Sequence, residues 1–170
     1  MTDFQALPEP SATFLKVAKF TRSLARNDVP AHVTDFARLL LLDLIAVTIA
    51  GTRVDAGRIA RDFAVAHWAA GPGAPSARLM FDGRRTSMPG AAYALATQLD
   101  NLDAHDGWQP SKGHAGAALL PALVAFADGM PELTGEEALL SLLVGYEVSY
   151  RAAWALHATT ADYHTSGAWN

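Results

Sequence analysis

The chain has 170 residues, of which 51% are hydrophobic, and its formal net charge is −4. This length suits one domain, and the apolar content is enough for a packed core and too high for intrinsic disorder. The 13 lysines and arginines are scattered, which argues against nucleic-acid binding because phosphate recognition needs clustered basic side chains. The chain has no cysteine, which excludes disulfides and cysteine-ligated zinc and fits a reducing cytoplasm.

The hydrophobic segments are too short to cross a bilayer. The longest apolar run, 39–49, is interrupted by Asp43, whereas a membrane span needs about 20 apolar residues. The first ten residues contain two acids and two prolines and lack the basic and apolar regions of a signal peptide. The sequence therefore predicts a soluble, cytoplasmic protein that does not insert into membranes.

Hydrophobic periodicity and capping residues predict six helices. The second of them is apolar on nearly every face, so we expect it to lie in a core or in an oligomer interface. Pro121 is expected to kink or restart the fifth helix, and Thr134 with Glu137 has the spacing of a capping box at the start of the sixth. The predicted ranges are about 11–26, 30–51, 55–69, 89–101, 115–128 and 134–157.

One segment, 76–88, is predicted to contain β-structure. Residues 77–81 are followed by Asp82 and Gly83, which is typical of half of a short hairpin. The expected fold is therefore predominantly all-α, with at most one short hairpin near 77–88, in a single domain over 1–170. Residues 166–170 read like the opening of another packed helix rather than an exposed polar terminus. We expect the chain to be a truncated part of a longer protein, with a short native protein as the alternative.

The segment 100–114 gathers three acids, two imidazoles and an amine between two apolar helices. Carboxylates and imidazoles at close range shift one another's pKa values, and proton-transfer enzymes need groups poised near neutrality. The alternative is that the acids only cap helices and the histidines are solvated, and composition alone leaves both interpretations open. The residues concerned are Asp100, Asp103, His105, Asp106, Lys112 and His114.

A second polar segment, 162–166, adds Tyr163 and His164 before an expected helix. On its own, His164 is more typical of a structural or surface histidine. Asp103 and His105 supply oxygen and nitrogen, but no paired-histidine helix or cysteine ligand supports a metal site. The glycine-rich nucleotide loops and the GxSxG elbow are also absent. We therefore predict neither a metal nor an organic cofactor.

Several motifs occur in a characteristic order along the chain. They are Ala91-Ala-Tyr-Ala-Leu-Ala96, Asp103-Ala-His-Asp-Gly107, Gly113-His-Ala-Gly116, Leu120-Pro-Ala-Leu123, Gly135-Glu-Glu137 and Gly145-Tyr-Glu-Val148 with Arg151. Together they resemble the MmgE/PrpD superfamily, whose members include 2-methylcitrate dehydratase, cis-aconitate decarboxylase and iminodisuccinate epimerase. The resemblance runs from about residue 36 to residue 170.

The resemblance implies a larger all-helical domain joined to a smaller α/β domain, in a homodimer that needs no metal or organic cofactor. It implies proton abstraction next to a carboxylate of a small di- or tricarboxylate substrate. Further site residues of the family come later in its sequence, so 1–170 is expected to hold part of a site. The implied catalytic residues are Asp103, His114 and His164, and the implied substrate contacts are Lys112, His105, Asp106 and Tyr163.

The chain departs from the family pattern at two loop positions. His105 stands where many members have an acid, and Gly107 stands where many have threonine. The stretch 112–116 is most similar to the iminodisuccinate epimerase branch, which weakens the case for a dehydratase or a decarboxylase. A hypothesis of another class is a non-catalytic helical dimerisation module, built on the apolar helix 35–50 and the long helix 134–157.

Overall fold

A computed structural model describes residues 9–129 and 132–160. Over these residues the chain forms six helices and one two-stranded sheet, which confirms the predominantly all-α fold with a short hairpin. A 3₁₀ turn at Arg26–Asp28 follows the first helix. In chain order the elements are α1 Ala12–Ser23, α2 Ala31–Gly51, α3 Asp55–His67, β1 Ser76–Arg78, β2 Arg85–Ser87, α4 Met88–Asp100, α5 Gly116–Gly129 and α6 Gly135–Thr159.

Local capping chemistry sets the start of several helices. The Ser11 side chain accepts a hydrogen bond from the backbone N–H of Phe14 at the start of α1. At the start of α6 the predicted capping box is present, since Thr134 Oγ1 accepts from Glu137 N and the Glu137 carboxylate accepts from Thr134 N. These side chains satisfy backbone donors that a helix leaves without partners in its first turn. The α5 helix runs through Pro121, so the predicted restart there does not occur.

The first strand of the hairpin, Ser76–Arg78, is shorter than the strand predicted over 77–81. Three residue pairs form its antiparallel register, with Ala77 opposite Thr86 in the middle. The turn places Phe81 and Gly83 at positive φ values of 63° and 84°. Asp128 on α5 accepts from the backbone N and the Nε of Arg78, at 2.8 and 2.7 Å. The hairpin is thereby fixed to the helical core.

Two clusters of buried side chains make up the core. The larger cluster lies between α2, α4, α5 and α6 and includes the fully buried Leu44, Leu99 and Leu142. The smaller cluster joins α3, β1, α4 and α5 through small residues, mainly alanines such as Ala64 and Ala94. Small side chains let these elements approach closely. The larger cluster is the one that supports the loop between α4 and α5.

The α2 helix combines a buried face with an exposed apolar face. Leu44 is fully buried, whereas Phe36, Leu39 and Leu42 are 61%, 62% and 63% exposed. The prediction that this helix lies in a core is therefore confirmed for one face, and the other face stays available to solvent. No helix within 9–129 and 132–160 is long and apolar enough to cross a membrane.

Candidate active site

The loop that joins α4 to α5, residues 101–115, is held in a defined conformation. Asp103 and Lys112 have positive φ values of 49° and 54°, a backbone conformation that residues other than glycine rarely adopt. The backbone carbonyl of Ser111 lies 2.7 Å from His157 Nε2 on α6. The Ser111 hydroxyl donates to Trp108 O at 2.7 Å. This contact attaches the loop to the last turn of α6.

Two imidazoles of this loop lie side by side. The ring centroids of His105 and His114 are 4.4 Å apart, with an angle of 48° between the planes. The His105 side chain is fully buried, the His114 side chain is 29% exposed, and the Asp103 side chain is 81% exposed. His114 Nε2 is 3.7 Å from Asp103 Oδ1. The arrangement places His114 between a buried imidazole and a solvated carboxylate.

A hydrogen bond to the backbone fixes the tautomer of His114. Its Nδ1 lies 2.6 Å from the backbone carbonyl oxygen of Asp106. A carbonyl oxygen only accepts hydrogen bonds, so Nδ1 must carry a proton and donate it. In the neutral ring the lone pair is then on Nε2, the nitrogen that faces Asp103. His114 therefore presents a proton acceptor toward the exposed side of the loop.

His105 is a neutral histidine beneath this site. Burial lowers its pKa, and the neighbouring His114 lowers it further, while Asp100, Asp106 and Asp103 oppose the change without reversing it. Its Nε2 is 3.5 Å from Asp100 Oδ1, and neither ring nitrogen has a hydrogen-bond partner within the described ranges. Because His105 stays neutral, the pair can accept one positive charge on His114 without placing two cations in contact.

The lowered pKa of His105 predicts a specific dependence of stability on pH. Above the ordinary histidine pKa of 6.5, this residue is neutral in the folded and the unfolded chain. As the pH falls below that value, the unfolded chain binds a proton that the folded chain does not, so the free energy of unfolding decreases. In His105→Gln this decrease should be smaller, as measured by urea unfolding at pH 7.5 and 5.5. His67→Gln, at an exposed position, is the matched control, and an unchanged pH dependence in His105→Gln would contradict the assignment.

The carboxylate of Asp106 contacts the helices α5 and α6. Tyr150 Oη on α6 donates a hydrogen bond to Asp106 Oδ2 at 2.9 Å. The buried hydroxyl of Tyr146 lies beside the same carboxylate. Burial, and then the negative charge of Asp106, raises the pKa of both tyrosines. Both hydroxyls therefore keep their protons and face the carboxylate as potential donors.

The close packing around Asp106 depends on a glycine. A Cβ atom placed on Gly116 would collide with Asp106 Oδ1 and would stand 2.6 Å from both Leu44 Cδ2 and Tyr146 Oη. Side chains cannot approach so closely without moving. Gly116 thus allows α5 to begin directly against the carboxylate. This position is the first residue of α5, two residues after His114.

A cleft of about 440 Å³ opens between α2 and α6 on the other side of Asp106. Aromatic side chains dominate its wall, with Trp108 and Trp154 in an edge-to-face pair whose centroids are 6.1 Å apart. A larger groove, of about 800 Å³, lies between α5 and α6 and is lined mainly by leucines and Phe126, with Glu132 and Glu137. Asp106 is the loop carboxylate that lines the smaller cleft, whereas the larger groove is lined by no residue of the loop.

Four of the residues predicted from the sequence are brought together by the fold. Asp103, His105, Asp106 and His114 surround one short stretch of loop. Lys112 belongs to the same loop and is half-buried. Tyr163 and His164 lie outside the described residues. Within the part of the chain that the structure describes, histidine and acidic side chains form no group of three that could hold a metal ion.

The sequence did not indicate the partners of Asp106. Tyr146 belongs to the 145–148 motif, whereas Tyr150 belongs to none of the motifs. Their spacing of four residues places them on one face of α6, and that spacing is the signal that could have pointed to a shared target. The target itself is 44 residues away from Tyr150 in the sequence.

A comparison with family models finds the MmgE/PrpD N-terminal domain over residues 15–169. The chain therefore belongs to the MmgE/PrpD family, and the family that the motifs suggested is confirmed. The match begins within α1 and covers α2 to α6 and the loop of the candidate active site. No curated protein and no solved structure shows a significant match to the chain.

Proposed function

We propose that this chain supplies part of the active site of a lyase or isomerase that acts on a small di- or tricarboxylate. The reaction begins with removal of the proton alpha to a carboxylate. The observation that carries the proposal is the contact of His114 with a neutral His105 on one side and Asp103 on the other. Membership of a family that includes lyases and epimerases supports the same class of chemistry.

His114 Nε2 acts as the base in this proposal. It has a lone pair when the ring is neutral, and it faces the exposed side of the loop, where a substrate has access. The imidazolium that forms on proton transfer lies 3.7 Å from Asp103, and the opposite charge stabilises it. Positioned acid–base groups of this kind contribute about 10²–10⁴-fold to a rate.

The substrate carboxylates need positive charge or N–H donors nearby. The amino end of α5, which starts at Gly116 just after His114, provides a helix dipole that favours an anion nearby. Lys112 is the proposed cation in the loop, since an ammonium group pairs with a carboxylate. The His105 side chain is fully buried and the Asp106 carboxylate is bonded to Tyr150, which favours a supporting role for both of these predicted substrate contacts.

A second group on the other face of the substrate completes the reaction. Return of a proton to the opposite face gives epimerisation, and expulsion of a β-hydroxyl group as water, with its proton supplied by the second group, gives a dehydratase reaction. We assign this role to His164, with Tyr163 as a further carboxylate contact, on the strength of the family pattern. One imidazole below the substrate and one acid above it are sufficient for either outcome.

A ligand titration of the intact protein tests the substrate class. 2-Methylcitrate, cis-aconitate and iminodisuccinate are added in turn while the melting temperature is followed. A ligand that binds only the folded chain raises the melting temperature, and at a hundred times its Kd it adds about 2.7 kcal/mol to the free energy of unfolding. Propionate, a monocarboxylate, is the control. Equal responses to propionate and to all three substrates would contradict the proposal.

The exposed face of α2 favours a second candidate function, a helical dimerisation module. Phe36, Leu39 and Leu42 place three large apolar side chains on the surface of one helix, and exposed apolar patches of this kind mark contact surfaces. The partner in this candidate is a second copy of the chain, as in a homodimer. The function then needs no substrate, in contrast to the enzyme.

Sedimentation of charged variants tests the dimer. Leu39→Glu and Leu42→Glu should shift the protein from dimer to monomer, because a carboxylate buried in an apolar contact is strongly unfavourable. Ile59→Glu, at an exposed position on α3, should leave the dimer intact. A dimer that persists in both α2 variants would contradict this interface. A stable dimer that responds to no carboxylate would favour the module over the enzyme.

A further inference from the structure

We propose that Asp106 and Tyr150 are positioning residues that hold His114 in the orientation and tautomer required of a base. This inference rests on the proposed role of His114. It assigns to Asp106 a function other than substrate contact, and it gives a role to a tyrosine of α6 that lies outside the loop. Neither residue needs to touch the substrate for the proposal to hold.

Asp106 accepts two hydrogen bonds that support this role, one at its backbone carbonyl and one at its carboxylate. Its backbone carbonyl accepts a hydrogen bond from His114 Nδ1 at 2.6 Å. Its carboxylate accepts one from Tyr150 Oη at 2.9 Å. Because both bonds involve the same residue, the position of Tyr150 on α6 determines where the carbonyl oxygen lies. The long helix α6 thereby sets the orientation of the imidazole.

The surroundings leave little freedom for alternative arrangements. A Cβ atom on Gly107 would stand 3.3 Å from the His114 ring, so the backbone next to Asp106 passes directly against the imidazole. On the other side, Gly116 lets α5 start in contact with the carboxylate. The carboxylate is thus enclosed between α5 and α6. Movement of the loop relative to α6 requires the Tyr150 hydrogen bond to break.

The chemical consequence concerns the nitrogen that carries the lone pair. A neutral imidazole can be protonated on either nitrogen, and the hydrogen bond that one nitrogen makes selects between the two forms. When Nδ1 donates to Asp106 O, the lone pair is on Nε2, toward Asp103 and the exposed side. If the carbonyl moves away, the other tautomer becomes populated, and that form has no lone pair on Nε2. The fraction of protein that can act as a base then decreases.

Tyr150→Phe tests the proposal, because it retains the ring and removes only the hydroxyl. We expect kcat to fall roughly 3- to 10-fold, the factor that one hydrogen bond is worth, with little change in KM. In ¹⁵N NMR spectra of histidine-labelled protein, His114 should be protonated on Nδ1 in the wild type and should populate the second tautomer in the variant. The His114 signals are assigned by their loss in His114→Gln. Tyr93→Phe, at an exposed position on α4, is the matched control and should change neither measurement.

Asp106→Asn provides a second, conservative variant. Its amide oxygen can still accept from Tyr150, so the wild-type tautomer should be retained, whereas Asp106→Ala should lose it. A His114 that remains fully protonated on Nδ1 in both Tyr150→Phe and Asp106→Ala would overturn the proposal. The tautomer is measured without turnover, so a failure of the positioning role can be distinguished from a failure of the proposed enzyme activity. A shifted tautomer in a protein that converts no carboxylate would support the positioning role and remove the catalytic one.

Discussion

Replacement of His114 by glutamine is expected to reduce the turnover of a di- or tricarboxylate by about 10²–10⁴-fold. Glutamine is similar in size and can donate to the Asp106 carbonyl, but it has no basic nitrogen to take a proton. The side chain is 29% exposed and lies in a loop rather than in the core. Urea unfolding of the variant should therefore remain close to that of the wild type, which separates lost chemistry from lost structure.

The expected effect should be confined to the chemical step. Substrate should still raise the melting temperature of His114→Gln, since binding of the carboxylates is assigned to Lys112 and the start of α5. His67→Gln, on the exposed end of α3, is the control and should retain full activity. Undiminished turnover in His114→Gln would show that another group removes the proton.

Gly116→Ala is expected to lower the free energy of unfolding by about 1–3 kcal/mol, the usual cost of overpacking in a dense interior. The added methyl group would meet the Asp106 carboxylate, Leu44 and Tyr146 at once. Leu44 and Tyr146 are buried between α2, α5 and α6, so they have little room to move aside. Displacement of Asp106 should also disturb His114, and activity should fall together with stability. Urea unfolding and turnover of the same preparation measure the two effects.

Gly135→Ala is the matched control for this substitution. Gly135 is the first residue of α6, and a Cβ atom there would have no neighbour within 4 Å among the described residues. Alanine restricts the unfolded chain more than glycine does, so this variant should gain up to about 1 kcal/mol. A change in the free energy of unfolding of the same sign and size at both positions would show that the packing around Asp106 is looser than in this structure.

Local sequence signals predicted most of the helical elements. The Thr134 capping box begins α6 as expected, and Asp82 with Gly83 lies in the turn of the hairpin. These features depend on residues no more than three positions apart, which a sequence displays directly. Of the two outcomes predicted at Pro121, a kink or a restart, the restart does not occur, since α5 is continuous through this residue despite the missing N–H. Tertiary contacts outweighed a local preference at that position.

The candidate active site was predictable in composition and much less so in arrangement. The crowding of titratable groups in 100–114 identified the loop, and the family motifs pointed to Asp103 and His114. The sequence could not show that the backbone carbonyl of Asp106, and not only its side chain, would contact His114. It also could not pair Asp106 with Tyr150 across 44 residues, since that contact exists only after α6 has packed against the loop.

Hydrogen exchange at the α-carbon of a substrate is the most direct test of the account. The intact protein is incubated in D₂O with 2-methylcitrate, cis-aconitate or iminodisuccinate, and proton NMR follows the α-proton signal and any product. We expect loss of that signal, or its conversion to product, with the wild type, and a rate at least about 100-fold lower with His114→Gln. Equal exchange rates in the two proteins, or no exchange with any of the three compounds, would contradict the assignment of His114 as the base that attacks a carbon next to a carboxylate.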